Sequence, residues 1–322
     1  MQTIVVTGAG GLIGSGVVRY LNDQGYKNVV LVDVLDHPEK IKNLEGKVYQ
    51  ELIGIDTLFP WLKGKEREIK AIIHLGACSD TMEMDAFYLH NNNTCYTQRL
   101  AEYALGNGIR FIYASSAATY GDGERGFSDD HEELEQLLPL NLYAKSKHAF
   151  DLWAKQEKIL DKIVGLKYFN VFGPNEAHKG HMASIVYKMV PVVQNQGVIR
   201  LFKSSEPSRF GDGEQCRDFI YVKDAARMTC QFIEDERSGI YNIGMGKPST
   251  WNQIAKAIFI ALEREPKIEY IDMPDDLVGR YQNYTCAKMK KYCGASLFHV
   301  EYDIENAIKD YVLNHLLIGK AW

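Results

Sequence analysis

Tyr143 and Lys147 are the residues best placed to do chemistry in this 322-residue chain. A spacing of four sets both side chains on one face of a helix. A phenol with a pKa of ~10 is a poor base at neutral pH. An ammonium beside it stabilises the phenolate and draws that value down. Such a tyrosine can take the proton of an alcohol while a hydride leaves the same carbon. The chain has 19 tyrosines, so about one such spacing arises by chance. A second is present, at Tyr284 and Lys288. Position separates the two. Tyr143 begins a helical stretch that follows the apolar strand Arg110 to Ala114, whereas Tyr284 has no such setting. Ser116 lies just past that strand, within Ser115-Ser116-Ala117-Ala118-Thr119-Tyr120-Gly121. A hydroxyl there can hold an alcohol and its carbonyl product; serine and glycine in such a place also simply form turns.

A leaving hydride needs an acceptor, and the first residues supply a place for one. Ile4-Val5-Val6 reads as a strand, Thr7-Gly8-Ala9-Gly10-Gly11-Leu12-Ile13-Gly14 as a glycine-rich turn opening a helix. Glycines let the backbone approach a pyrophosphate, and the helix N-terminus favours its charge. A second strand, Val29 to Asp33, ends in a carboxylate placed to meet the adenosine ribose. Gly8, Gly11, Leu12, Ile13, Gly14 and Asp33 are therefore candidate contacts to a nicotinamide dinucleotide. Asp33 repels a 2′-phosphate, which favours NAD; Lys40 can offset that charge, which favours NADP. Past the strand Ala71 to Leu75, the small residues Gly76, Ala77, Cys78 and Ser79 let a cofactor cross the sheet edge. An asparagine of the Asn91-Asn92-Asn93 run could bridge backbone groups nearby, although such clusters more often cap helices.

These residues need a frame. Strands at Ile4 to Thr7, Val29 to Asp33, Ala71 to Leu75, Arg110 to Ala114 and Ile163 to Phe169 alternate with helices such as Tyr96 to Leu105 and Ser146 to Lys158. The alternation predicts an α/β fold, a doubly wound parallel sheet of the Rossmann type with ligands at the C-terminal strand ends. Further on come a helix, Ala183 to Asn195, with a kink or break expected at Pro191, and strands at Val198 to Phe202, Asp218 to Val222, Gly239 to Ile243 and Lys267 to Ile271. Helices are expected at Ala225 to Glu234, Trp251 to Leu262 and Ile304 to Leu317, and a loop from Ser204 to Gln215. No linker or repeat separates the parts. We expect a cofactor domain of residues 1–170 and 218–247, interleaved with a smaller α/β lobe of residues 171–217 and 248–322.

The net charge of −5 and an apolar content of 46% disfavour nucleic acid or an anionic membrane as partner. No signal peptide or anchor is read, so a cytoplasmic setting is expected. The six cysteines form no C-x-x-C pair. His178 and His181 lack further ligands at useful spacing, and no metal is expected.

Together these motifs resemble the extended short-chain dehydrogenase/reductase superfamily in its nucleotide-sugar branch. The likeness runs nearly end to end. Its most specific pieces are Tyr113 to Gly121, Tyr168-Phe169-Asn170-Val171-Phe172-Gly173-Pro174, His178-Lys179-Gly180 with Met182-Ala183-Ser184, Arg217-Asp218-Phe219 and Gly279-Arg280-Tyr281-Gln282. The resemblance implies epimerisation at C6 of an ADP-linked heptose. Hydride would pass to NADP and return through a 6-keto intermediate. Tyr143, assisted by Lys147 and Ser116, would be one acid/base and Lys179 the second. It adds Lys40, Leu75, Asn92, Lys147, Val171 and Lys179 as cofactor contacts. Asn170, Phe202, Lys203, Ser204, Ser205, Arg217 and Tyr281 would meet the substrate, as would His181 and Lys188, which stand where the family usually has a small residue and a histidine. Homo-oligomers are common in the family and one is expected here. Two alternatives stay open: another sugar-nucleotide epimerase or dehydratase, and a non-catalytic cofactor-binding module. Ala117-Ala118 after Ser116, in place of an acidic pair, disfavours elimination; Tyr143, Lys147 and Ser116 disfavour the module, since binding alone needs none of them.

Overall fold

A computed structural model describes residues 2–275, 281–294 and 300–322. Residues Gly279 and Arg280 of the resemblance lie outside the described residues. Seven parallel strands form the central sheet. Six of them come early: β1 (Thr3–Thr7), β2 (Val29–Val32), β3 (Glu51–Ile53), β4 (Ile69–His74), β5 (Arg110–Ser116) and β6 (Val164–Tyr168). The later strands are β7 (Asn170–Phe172), β8 (Ile199–Phe202), β9 (Cys216–Arg217), β10 (Phe219–Tyr221), β11 (Gly239–Ile243), β12 (Ser249–Thr250) and β13 (Ile268–Ile271). The order across the central sheet is β11-β6-β5-β4-β1-β2-β3. The strand order reverses at β1 and β4, whose ends face each other at Thr7 and His74. A crevice opens at such a point, beyond the C-terminal strand ends. β1, β2 and β6 are buried along their whole length, which is why they read as continuous apolar runs rather than alternating ones.

The main helices are α1 (Leu12–Asp23), α2 (Tyr96–Gly106), α3 (Leu142–Gln156), α4 (Ile185–Gln196), α5 (Val222–Gln231), α6 (Trp251–Ala261) and α7 (Ile304–Tyr311). Val17, Val18 and Leu21 of α1 share one apolar cluster with Ala225, Ala226 and Met228 of α5. Leu100 and Ala104 of α2 and Phe150 and Ala154 of α3 cover another face of the sheet. A third cluster joins α4, α6 and α7 to β7, β8 and β10. Three two-stranded sheets, β7–β10, β8–β13 and β9–β12, lie apart from the central sheet.

The structure differs from the sequence reading at several points, among them the short strands β7, β9 and β12, which no pattern announced. β3 was not foreseen: three residues, beginning at an exposed Glu51, carry too little pattern. α3 starts at Leu142 rather than Ser146, because the Asn141 side chain accepts the Ala144 amide at 2.8 Å and caps the helix there. α4 runs unbroken through Pro191 and stops at Gly197, which adopts φ 70°. The C-terminal helix gives way after Tyr311 to a π-helical turn, Val312–Leu316. Among the described residues, no helix is long and apolar enough to cross a membrane.

Candidate active site

At the crevice the glycine turn is close-packed for a reason. Gly8 adopts φ +66°, and a Cβ on it would stand 2.6 Å from the Gly76 nitrogen. A Cβ on Gly14 would stand 2.0 Å from the Gly8 carbonyl oxygen. Only glycine fits either place. Gly11 precedes α1, and Leu12 and Ile13 form its first turn. Asp33 follows β2 directly. Its carboxylate accepts the Gly10 and Val34 amides, each at 2.7 Å. Lys40 lies 3.4 Å from that carboxylate and also donates to the Val34 carbonyl and to Asp36. Small residues, a free helix N-terminus and a carboxylate at the second strand's end together fit a dinucleotide.

The far wall is Leu75 to Ser79, the segment after β4. The Leu75 and Gly76 amides bond to Thr7. Thr7 in turn meets His74 Nδ1 at 2.6 Å, and His74 Nε2 meets Thr97 at 2.9 Å. Burial, with Lys147 adding to it, pushes the His74 imidazole down to about 3; the ring is a neutral tie between β1, β4 and α2. The bridging asparagine is Asn93, buried in a π-helical turn, His90–Cys95, ahead of α2. Its amide accepts the Cys78 N–H and donates to the Cys78 carbonyl, both at 2.9 Å, and donates to Ser146 at 3.0 Å. Asn92 is half-buried and donates to Asn93. Ser146 donates to the Tyr143 carbonyl at 2.7 Å. One side chain thus fastens the cofactor wall to the turn that carries Tyr143 and Lys147.

Tyr143 is half-buried, and its phenol is hydrogen-bonded by Ser116. The Ser116 hydroxyl also accepts the Ala118 amide at 3.1 Å, so the serine caps a turn and faces the tyrosine at once. The expected depression of the phenol pKa is not found. Burial raises it, with the Ser116 hydrogen bond opposing. The reason is where the ammonium points: Lys147 donates to the Ala114 carbonyl at 3.0 Å. Lys147 itself is held down at about 8 by burial, against the pull of Asp151 and Cys78.

One turn beyond Lys147, Asp151 forms a wholly buried ion pair with Lys167 at 2.9 Å. Asp151 also accepts Tyr113 at 2.9 Å and Ser115 at 2.7 Å, and Lys167 donates to Thr119. The pair pins α3 to β5 and β6 directly behind Ser116. The sequence reading missed it, although Asp151 continues the spacing of Tyr143 and Lys147.

Lys179 lies on a short 3-10 segment, Ala177–Met182. Burial lowers its pKa, Glu176 opposes that and Lys188 adds to it. Lys188 donates to the His181 carbonyl at 2.6 Å, and His181 Nε2 reaches Asp80 at 3.3 Å. The loop bearing Lys179 therefore touches the segment that follows the cofactor wall. Asn170 and Val171 open β7 beside β10.

The remaining substrate candidates divide. Arg217 is buried under the rings of Tyr281 at 5.2 Å and Trp251 at 5.9 Å. Phe202 meets Tyr281 edge-on at 6.3 Å. These four make a cationic and aromatic wall, to which Trp251 is an addition that no motif signalled. Lys203 instead pairs with Asp272 at 2.9 Å, and Ser204 engages Asp212 and Glu206 within its own loop. Ser205 is half-buried in that loop. Tyr284 and Lys288 lie in irregular chain and share no helix face.

The model of the NAD dependent epimerase/dehydratase family matches residues 4–244. The chain is 44% identical over 321 residues to the ADP-L-glycero-D-manno-heptose-6-epimerase of Nitratidesulfovibrio vulgaris strain DP4, covering 97% of each. It is 44% identical over 325 residues to the protein of that name from Fusobacterium nucleatum, covering 97% of this chain and 98% of that one. Among solved structures, the ADP-L-glycero-D-manno-heptose-6-epimerase of Helicobacter pylori superposes with a TM-score of 0.79 at 26% identity, over 97% of this chain and 96% of that one.

Proposed function

This chain belongs to the NAD dependent epimerase/dehydratase family, and we propose that it inverts C6 of an ADP-linked heptose, converting ADP-D-glycero-D-manno-heptose to its L-glycero epimer. The observation that carries the chemistry is Ser116, at the C-terminal end of β5, set against the Tyr143 phenol. The bound nicotinamide supplies the acceptor and donor of hydride. Tyr143 moves the proton of one epimeric alcohol, and Ser116 holds the oxygen as it becomes the 6-keto group. Lys179 is the second acid/base. Two are needed because the two epimers present their hydroxyl protons from different directions, and each needs a group within hydrogen-bond reach. Arg217 suits a diphosphate, with Tyr281 and Phe202 beside it; Asn170, His181, Lys188, Lys203, Ser204 and Ser205 complete the proposed sugar-nucleotide surroundings.

Residues 1–170 and 218–247 form the proposed cofactor domain, and the pairing of β11 with β6 supports it. Residues 171–217 and 248–322 form the proposed substrate lobe. A homo-oligomer belongs to this reading; Met82, Met84 and Phe87, each at least 70% exposed on one segment, support it. The proposed contacts of the cofactor are Gly8, Gly11 to Gly14, Asp33, Lys40, Leu75 to Ser79, Asn92, Lys147, Val171 and Lys179.

NADP is the proposed cofactor form, because Lys40 stands beside Asp33 and can turn to a 2′-phosphate. NAD is the second reading, favoured by the Asp33 carboxylate itself. We expect the nucleotide released on denaturing purified protein to be NADP or NADPH; release of NAD or NADH alone would select the second. The reaction is tested by incubation with ADP-D-glycero-D-manno-heptose. C6 should invert without accumulation of reduced cofactor, and absence of turnover would refute the assignment.

A further inference from the structure

We propose that Glu176 is the positioning residue for Lys179, holding its loop closed from inside the protein. The proposal rests on the reading of Lys179 as the second acid/base. Glu176 is wholly buried. Its carboxylate accepts the Ser184 amide and hydroxyl, each at 2.6 Å, and the Gly173 amide at 3.4 Å. The Tyr311 phenol from α7 donates to it as well. Its backbone carbonyl accepts the Lys179 amide at 2.9 Å. Gly173 precedes the loop and Ser184 follows it, so both flanks of the Lys179 segment are tied to one side chain. Between them Gly180 turns through φ 52°, which favours glycine.

A purely architectural tie does not call for a charge. Burying a carboxylate costs more than burying a neutral acceptor unless a cation compensates. Burial raises the pKa of Glu176, opposed by its Ser184 hydrogen bonds and by the charge of Lys179; the Glu176 charge in turn works against the effect of burial on Lys179. The other titratable groups around the pair are Lys188 on α4, Tyr311 on α7, Tyr187 beside Tyr311 and His178 beside Lys179. Glu176 is the carboxylate whose charge acts on Lys179, whereas Asp80, also at this loop, faces His181. Glu176 fixes the place of the Lys179 segment through its hydrogen bonds and the proton affinity of Lys179 through its charge.

The test is the pH profile of kcat/KM in the direction in which Lys179 takes the proton. There activity falls on the acid side as Lys179 becomes protonated. Glu176→Gln removes the neighbouring negative charge, so Lys179 deprotonates more readily. The acid limb should move to lower pH by about one unit, and Glu176→Asp, which keeps the charge, should restore it. A lower plateau with an unmoved limb would mean a structural role only and would overturn the proposal. Should Glu176→Gln fail to fold, Ser184→Ala loosens the same tie. It should lower kcat about tenfold with bound cofactor unchanged; wild-type kcat would overturn the proposal. Lys179→Met separates the two readings. If the acid limb survives in that variant, the second-base assignment fails, and the Glu176 proposal falls with it.

Discussion

Tyr143→Phe should keep the bound cofactor and lose turnover by about 10²–10⁴-fold, the range that a positioned acid/base contributes. The substitution removes one oxygen from a half-buried ring and leaves its volume nearly unchanged. The Ser116 hydroxyl keeps the Ala118 amide as a partner, so the turn after β5 should persist. Asn93, Ser146 and the Tyr143 backbone are untouched, and the cofactor wall should stay fastened to α3. The loss should therefore fall on kcat rather than on KM or cofactor content. Steady-state rates together with the nucleotide content of purified protein measure both. Turnover within a factor of two of wild type would remove Tyr143 from the mechanism.

Asp151→Asn should destabilise the protein by roughly 3–5 kcal/mol, because it leaves a buried Lys167 charge without its partner. The native carboxylate accepts from Tyr113, Ser115 and Lys167. An amide of the same shape presents two hydrogens towards donors that are already donating. Loss of charge and loss of acceptors thus act together in a site that water does not reach. Asp151→Asn with Lys167→Met should recover part of the loss, since no unpaired charge then remains. Urea unfolding of the single and double variants gives the comparison. A single variant within 1 kcal/mol of wild type would show that the pair is not a structural keystone of the site.

What was legible in the sequence was local. The glycine turn, Asp33 after the second strand and the Tyr143–Lys147 spacing each lie within one element or its immediate neighbour. Their backbone geometry follows from residue type and distance along the chain. What was not legible depends on chain segments that meet only after folding. Glu176 reads as an ordinary loop acid until Ser184 and Tyr311 close around it. Lys167 reads as a polar interruption in an apolar strand until Asp151 and Thr119 surround it. The direction of the Tyr143 pKa belongs to the same class. The spacing puts Lys147 on the right face, but the Ala114 carbonyl decides where its ammonium points. Trp251 entered the wall around Arg217 through the β9–β12 pairing, which no motif announces.

The fate of the hydrogen at C6 tests the proposed epimerisation most directly. ADP-D-glycero-D-manno-heptose carrying deuterium at that carbon should be turned over in ordinary water and the product examined by NMR and mass spectrometry. We predict the opposite configuration at C6, with deuterium retained there and no net reduced nicotinamide. A product that has exchanged the label for solvent hydrogen, or reduced cofactor formed in step with substrate loss, would contradict it.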